Sequence, residues 1–229
     1  MEMFKITDCK DILVNLSKVI IANKAYLSEI DGLIGDGDHG INMAKGFSIF
    51  KDRIEHKDTL SLGDGFMELS NVLMGEIGGS MGPLYGSIFM GMAMSIDGKE
   101  ELSAKDFSEM LNSGLANLQT ISDATLGDKC IMDTLMPAVT TFSEKQRRKC
   151  RFDECLLGAS TAAKQGAENT KMLQAKIGRA SRLGERSIGV LDAGAVSCSL
   201  ILVCFFSGVY DNLYPFNLKV QVPVTENYP

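Results

Sequence analysis

The sequence predicts a single all-α domain, and three observations support this. Apolar residues recur at helical spacing in most long segments, for example at Ile12, Leu16 and Val19. Alternation typical of a strand appears only at 218–222, where Pro223 ends it. The chain of 229 residues shows no internal repeat and no Pro/Ser-rich linker. It is long enough to bury one substantial core.

The expected helices follow one another with identifiable starts and ends. Asp8 is a suitable N-cap for a first helix over 9–30. Pro83 suits the first turn of a later helix, whose residues 84–94 offer no polar face and should therefore be buried all round. The other helices are expected at 41–55, 62–77, 104–119 behind Ser103 as N-cap, 133–144 with Pro137 inside, 152–173 and 194–207.

The C-terminal segment is expected to differ from the rest of the chain. Residues 210–229 contain Pro215, Pro223 and Pro229 and should form an irregular tail behind a domain of residues 1–209. Glycine and charge concentrate instead in the loops of that domain, which are the usual carriers of function on a rigid scaffold. These loops are expected at 31–40, 77–83, 121–131 and 178–194.

Composition excludes several classes of protein. A net charge of −6 argues against nucleic-acid binding, which needs basic residues to displace counterions. Six cysteines without a Cys-x-x-Cys pair and only two histidines argue against a structural zinc site. No apolar signal segment follows Met1, so we expect a cytoplasmic protein. The uncharged run 193–209 is short for a membrane span and contains serines, which favours a buried helix and no membrane association.

Three carboxylates cluster between the first two expected helices. Asp31, Asp36 and Asp38 are spaced by glycines and followed by His39. Carboxylate oxygens are hard ligands that suit Mg²⁺ or Ca²⁺. The EF-hand pattern is excluded, because counting from Asp36 places Ile41 where the loop needs glycine. A simple turn with Asp38 as N-cap of the next helix remains open.

Three further segments carry features of phosphate binding. The glycine-rich run 78–86 precedes and enters a helix, whose N-terminus favours anions, although it has neither a P-loop nor a dinucleotide fingerprint. Residues 127–133 end on Asp133, which could also cap a helix. Residues 178–187 hold three arginines, which suit phosphate contacts but could also pair with Glu185 and nearby carboxylates. Together the four segments supply what phosphoryl transfer requires.

The order of these motifs resembles one known family. Gly-Asp-Gly-Asp-His-Gly-Ile-Asn-Met, Gly-Gly-Ser-x-Gly-Pro-Leu-Tyr-Gly, Gly-Asp-Lys-x-x-x-Asp and Gly-Arg-Ala-Ser-x-Leu-Gly-Glu-Arg-Ser are similar to motifs of the nucleotide-binding L subunit of dihydroxyacetone kinases. The resemblance extends over about residues 8–209 and implies a barrel of about eight antiparallel helices with the nucleotide at one end.

The resemblance also implies the roles of individual residues. Asp31, Asp36 and Asp38 would bind two Mg²⁺ ions that bridge the phosphates of ADP or ATP, and no catalytic residue separate from this metal site is expected. The acid–base residue would lie on another subunit. The implied nucleotide contacts are His39, Gly40, Ile41, Asn42, Ser80, Met81, Ser122, Ile131, Arg179, Asp192 and Gly194.

The resemblance implies partners as well. Separate L subunits of the phosphotransferase-dependent type keep ADP bound, receive phosphate from a phosphohistidine on an M subunit, and pass it to dihydroxyacetone held on a K subunit. Two alternatives remain open. The chain could serve a direct ATP-dependent triose or tetrose kinase with freely exchanging nucleotide, or it could act as an ADP/ATP-state sensor that binds a transcription regulator.

The chain departs from the family pattern in three places. Met81 stands where serine is usual, Arg182 replaces a common tyrosine, and 189–194 replaces a His-Gln-Asp-Pro-Gly type of segment. These changes affect the expected partner and sugar substrate, which stay open, more than they affect the expected nucleotide.

Overall fold

The computed structural model describes residues 2–215, and it confirms the predicted all-α class. Helical structure dominates this part of the chain, and the only strands in it form one short pair. The α-helices are α1 (Lys10–Ala22), α2 (Lys24–Ile34), α3 (His39–Glu55), α4 (Leu62–Glu76), α5 (Met81–Ser95), α6 (Ala104–Gln119), α7 (Met132–Arg147), α8 (Phe152–Asn169) and α9 (Ala193–Leu213). Two 3₁₀ segments lie at Thr170–Met172 and Arg179–Ser187.

The single helix predicted over 9–30 is two helices. Asn23 ends α1 and precedes α2, and both its backbone N–H and its side-chain amide donate to the carbonyl of Val19. Apolar periodicity continues across the break, so the pattern alone could not reveal it. The expected cap was also wrong. Cys9 holds the N-cap position, while the Asp8 carboxylate accepts from the backbone N–H of Lys10 and of Leu60.

Other boundaries shift by a few residues. The predicted cap at Ser103 is confirmed, since its hydroxyl accepts from the backbone N–H of Asp106 at 3.2 Å. Helix α3 begins at His39 rather than near Ile41. Helix α9 continues to Leu213, so residues 210–213 are helical and not part of an irregular tail. Tyr214 and Pro215 follow the helix, and the expected tail from 216 onward lies outside the described residues.

A two-residue antiparallel ladder was not predicted. Strand β1 (Phe4–Lys5) pairs with β2 (Glu101–Leu102), and Phe4 is fully buried. Two residues are too few to show an alternating pattern, because the pairing depends on a partner almost a hundred positions away. The ladder holds the N-terminus beside the start of α6, where Phe4 meets Phe107 edge-on at 6.3 Å.

The helices pack in an order that closes on itself. Helix α1 packs on α3, each helix from α3 to α9 packs on the next, and α9 returns to α1, while α2 lies against α3 and α9. The barrel shape expected for the domain stays a prediction. Helix α9 is long and apolar enough to cross a membrane. Most of its residues are buried against neighbouring helices, however, so it is a core helix of this domain.

Candidate functional site

The three predicted metal ligands come together at the junction of α2 and α3. Asp31 lies in the last turn of α2, whereas Asp36 and Asp38 lie in the connection that follows. One carboxylate oxygen from each lies within 4.8 Å of the others. Three partly exposed carboxylates this close repel one another, and a hard divalent cation would relieve that repulsion. The donor set therefore fits Mg²⁺.

The alternative of a simple capping turn loses its support. Asp38 occupies the N-cap position of α3, but its side chain makes no capping hydrogen bond. Asp31 contributes a carboxylate oxygen 3.3 Å from the backbone N–H of His39. Two glycines make the cluster possible. A Cβ at Gly35 would collide with the Asp31 carboxylate, and Gly37 has a φ of +76° that favours glycine.

The acid cluster borders a cavity of about 410 Å³. The cavity lies where loops from both halves of the sequence meet, as expected for a binding site on a rigid scaffold. It brings together most of the predicted site residues, which are far apart in sequence. Lining it are Asp31, Asp36, Asp38, His39, Ser80, Met81, Ser122, Ile131, Arg179, Asp192 and Gly194.

Three predicted nucleotide contacts do not line this cavity. Ile41 is 52% exposed on α3, and Asn42 lies one position further along the same helix. Gly40 has a packing role, and its predicted contact with the nucleotide stays a prediction. A Cβ at this position would collide with the backbone carbonyl of Lys24 and with Ser28, so glycine is what allows α3 to lie against α2. A glycine beside an acid motif looks the same in sequence whether a ligand or a helix approaches it.

A helix N-terminus faces the cavity from α5. Ser80 is the N-cap of α5 and makes no side-chain capping bond, and Gly79 before it has a φ of +76°. The first backbone N–H groups of an α-helix lack partners within the helix, and the helix dipole favours anions there. The turn at Ser80 and Met81 can therefore receive phosphate oxygens through its backbone.

A buried polar network forms one side of the cavity. Nε2 of His39 lies 2.8 Å from the hydroxyl of Ser197, which lies 2.6 Å from the hydroxyl of Tyr85. Ser197 also lies 2.9 Å from the carbonyl of Ala193, and Tyr85 donates to the carbonyl of Gly194. Burial lowers the pKa of His39 to about 4, against the opposing effect of Asp31. The imidazole is therefore neutral at neutral pH.

Sequence reasoning missed two members of this network. Tyr85 belongs to the Gly-Pro-Leu-Tyr-Gly motif, which could have singled it out. Ser197 is one of several serines in the apolar run of α9 and carries no distinguishing signal. Its role depends on contacts with residues more than a hundred positions away.

Another part of the cavity wall is formed by residues of the loop 121–131 and by Asp192, which precedes α9. Both carboxylate oxygens of Asp133 accept backbone N–H groups, from Gly127 at 2.6 Å and from Cys130 at 2.8 Å. Asp133 thus shapes its own loop. Asp192 caps α9 by accepting from Ala195 at 2.8 Å, and burial raises the pKa of Asp192 to about 6.

Of the three arginines at 178–187, only Arg179 lines the cavity. Its guanidinium forms an ion pair with the carboxylate of Asp36, and not with Glu185. Arg182 and Arg186 are exposed and make no ion pair with another described residue. The site therefore combines three carboxylates, a helix N-terminus and an exposed arginine around a single cavity.

This fold and site define an all-α domain with a cluster of carboxylates suited to a metal ion, beside a helix N-terminus suited to an anion. The chain belongs to the DAK2 domain family, whose model matches residues 33–207.

Curated relatives were found in several bacteria. Over 195 residues the chain is 36% identical to the ADP-binding subunit DhaL of PEP-dependent dihydroxyacetone kinase 2 from Listeria innocua, covering 83% of this chain and 89% of the relative. It is 32% identical to the ADP-binding subunit DhaL of the Escherichia coli PEP-dependent dihydroxyacetone kinase, with 86% and 90% covered. It is also 27% identical to an L-erythrulose kinase of Pectobacterium atrosepticum, of which it covers 32%.

A solved structure shows the same fold. The dihydroxyacetone kinase from C. freundii, in complex with AMP-PNP and Mg²⁺, matches with a TM-score of 0.66 at 24% identity. The match covers 85% of this chain and 32% of that chain.

Proposed function

We propose that this protein is the ADP/ATP-carrying subunit of a phosphoenolpyruvate-dependent dihydroxyacetone kinase. The observation that carries the proposal is the placement of three carboxylates within 4.8 Å of one another beside the cavity that α5 and Arg179 also border. Phosphoryl transfer depends mainly on positioning and on electrostatic stabilisation of the phosphates, and this inventory supplies both. The names of the bacterial relatives support the same conclusion.

Each part of the cavity has a proposed role. Asp31, Asp36 and Asp38 hold Mg²⁺, of which two are expected, and the metal neutralises phosphate oxygens when bound. Ser80 and Met81 offer backbone N–H groups to the phosphates, and Arg179 adds a cation. The adenosine would lie against Ser122, Ile131, Asp192 and Gly194.

No residue of this chain is proposed as the acid–base catalyst. Burial lowers the pKa of His39 and so makes it a weak base, and its Nε2 is engaged with Ser197. His39 instead helps to shape the site beside the phosphates. The base that activates the sugar hydroxyl would belong to a K subunit, and phosphate would arrive from a phosphohistidine on an M subunit. We expect all three proteins in the cytoplasm.

A second candidate is a direct ATP-dependent kinase of a triose or tetrose. The similarity to an L-erythrulose kinase favours it, although that protein is about three times longer than the matched region. In this case nucleotide would exchange freely with solution.

Nucleotide release distinguishes the two candidates. The purified protein is dialysed against Mg²⁺-containing buffer, denatured, and the released nucleotide is identified by chromatography. Stoichiometric ADP supports the coenzyme role, and an empty protein that binds ATP from solution supports direct ATP use. A protein that neither retains ADP nor binds ATP or ADP with Mg²⁺ would refute both.

A further inference from the structure

The ammonium group of Lys129 is held in a cage of backbone carbonyls. Its side chain is almost completely buried, with 2% of the residue exposed. Nζ donates to the carbonyls of Val190 at 2.5 Å, Thr170 at 2.6 Å and Leu173 at 3.1 Å. An ammonium has three N–H groups, so all three are used. Burial lowers the pKa of Lys129, with Asp192 and Asp133 opposing this effect through space.

This cage ties the cavity-lining loop at Lys129 to two other segments of the chain. Lys129 belongs to the loop that ends at Ile131, Thr170 follows α8, and Val190 lies two residues before Asp192. A second bond links the last two segments, because the backbone N–H of Asp192 donates to the hydroxyl of Thr170 at 3.0 Å. The three segments therefore converge on one side chain.

The backbone of Lys129 adopts a conformation that is unusual for lysine. Its φ is +62°, in the left-handed region that glycine adopts most easily. A lysine there is disfavoured unless surrounding contacts hold it. The three carbonyl contacts are such contacts. Because these contacts use all three N–H groups, the ammonium could donate to a bound phosphate only if at least one of the contacts broke.

We infer that Lys129 is a positioning residue, which fixes the wall carrying Ile131 and Asp192 at the spacing that the nucleoside part of the ligand requires. This inference rests on the proposed function. Lys129 has no described contact with Asp31, Asp36 or Asp38, so its effect should be confined to the nucleoside side. Binding of phosphate groups through metal should not depend on it.

The test compares a whole nucleotide with its phosphate part. Lys129→Met keeps much of the side-chain volume but removes the three donors. Binding of ADP and of pyrophosphate, each with Mg²⁺, is measured by calorimetry on the nucleotide-free full chain. We expect Lys129→Met to weaken ADP by about tenfold or more and to change pyrophosphate by less than about twofold. A general loosening of the fold would weaken both ligands.

Two further variants complete the test. Lys176→Met is the matched control, because Lys176 is an exposed lysine near the same loop that pairs with Asp128 at 3.3 Å. It should leave both ligands unchanged. Lys129→Gln retains part of the donor capacity, and if Lys129→Met fails to fold, this variant should show the same selective loss of ADP to a smaller extent.

Each outcome decides between the alternatives. A selective loss of ADP supports the inference. Equal losses of both ligands, or no loss, in the folded variant overturn it. Failure of the wild-type protein to bind ADP would instead refute the proposed function, so the two failures are distinguishable.

Discussion

The guanidinium of Arg179 forms an ion pair with the carboxylate of Asp36, which is one of the three clustered acids. Both side chains are substantially exposed, at 63% and 42%. An exposed pair of this kind contributes little stability and can be exchanged easily. In the absence of ligand, Arg179 partly neutralises the acid cluster. We expect that Arg179 releases Asp36 and contacts the phosphate when metal and nucleotide bind.

Replacement of Arg179 should therefore have opposite effects on two ligands. In Arg179→Gln, Mg²⁺ alone should bind about two- to fivefold more tightly, because its competitor at Asp36 is removed. ADP with Mg²⁺ should bind about tenfold more weakly, because a charged contact to phosphate is lost. Calorimetric titration of each ligand measures both effects. The exposed Arg182→Gln is the control, and a parallel loss of both ligands in Arg179→Gln would contradict the exchange.

Removal of one carboxylate should abolish function without unfolding the protein. Asp38→Asn keeps the size of the side chain, and its carboxylate makes no capping bond that the fold needs. We expect phosphoryl transfer, assayed with the K and M partners, to fall by about 100-fold or more, because a metal ligand is lost. Glu29→Gln changes an exposed acid of α2 and should leave phosphoryl transfer unchanged. Equal activity of Asp38→Asn and wild type would refute the metal site.

Gly40 should behave as a packing residue. Gly40→Ala places a methyl group against the backbone of α2, and we expect it to destabilise the fold by about 3 kcal/mol. Gly75→Ala is the matched control, since its Cβ meets no atom within 4 Å in α4. That change should be neutral or stabilising by up to about 1 kcal/mol. Urea unfolding of both variants checks the difference, and similar stabilities for the two would contradict the packing role.

The raised pKa of Asp192 predicts a pH-dependent stability. Burial raises its pKa to about 6 from the ordinary value of 3.8, so the folded state favours the protonated form. This favourable contribution is fully present below pH 3.8 and is lost as pH rises through 6. Asp192→Asn keeps a good helix cap but does not ionise. It should gain on the order of 2–3 kcal/mol over wild type between pH 4 and pH 7 in the nucleotide-free protein.

Urea unfolding at several pH values measures this gain. The difference in free energy of unfolding between Asp192→Asn and wild type should grow mainly between pH 4 and pH 6. A difference that stays constant over this range would show that Asp192 does not titrate as proposed.

Local patterns predicted the local parts of the structure. Helical periodicity identified most helices, and Ser103 was correctly identified as a cap. The same periodicity hid the break at Asn23, because a change in direction of the backbone does not interrupt an apolar stripe. Likewise, the sequence gives no signal for the ladder between Phe4–Lys5 and Glu101–Leu102, because each strand is too short to show an alternating pattern.

The candidate site divides in the same way. The sequence by itself determined the acid cluster, because Asp31, Asp36 and Asp38 lie within eight positions and the chain itself holds them together. Only the tertiary structure decided which other residues share the cavity. In the folded protein His39 contacts Ser197, 158 positions away, and three distant carbonyls accept from Lys129. Gly40 packs against α2. Such contacts arise from the packing of helices, and the spacing of residues along the chain does not encode them locally.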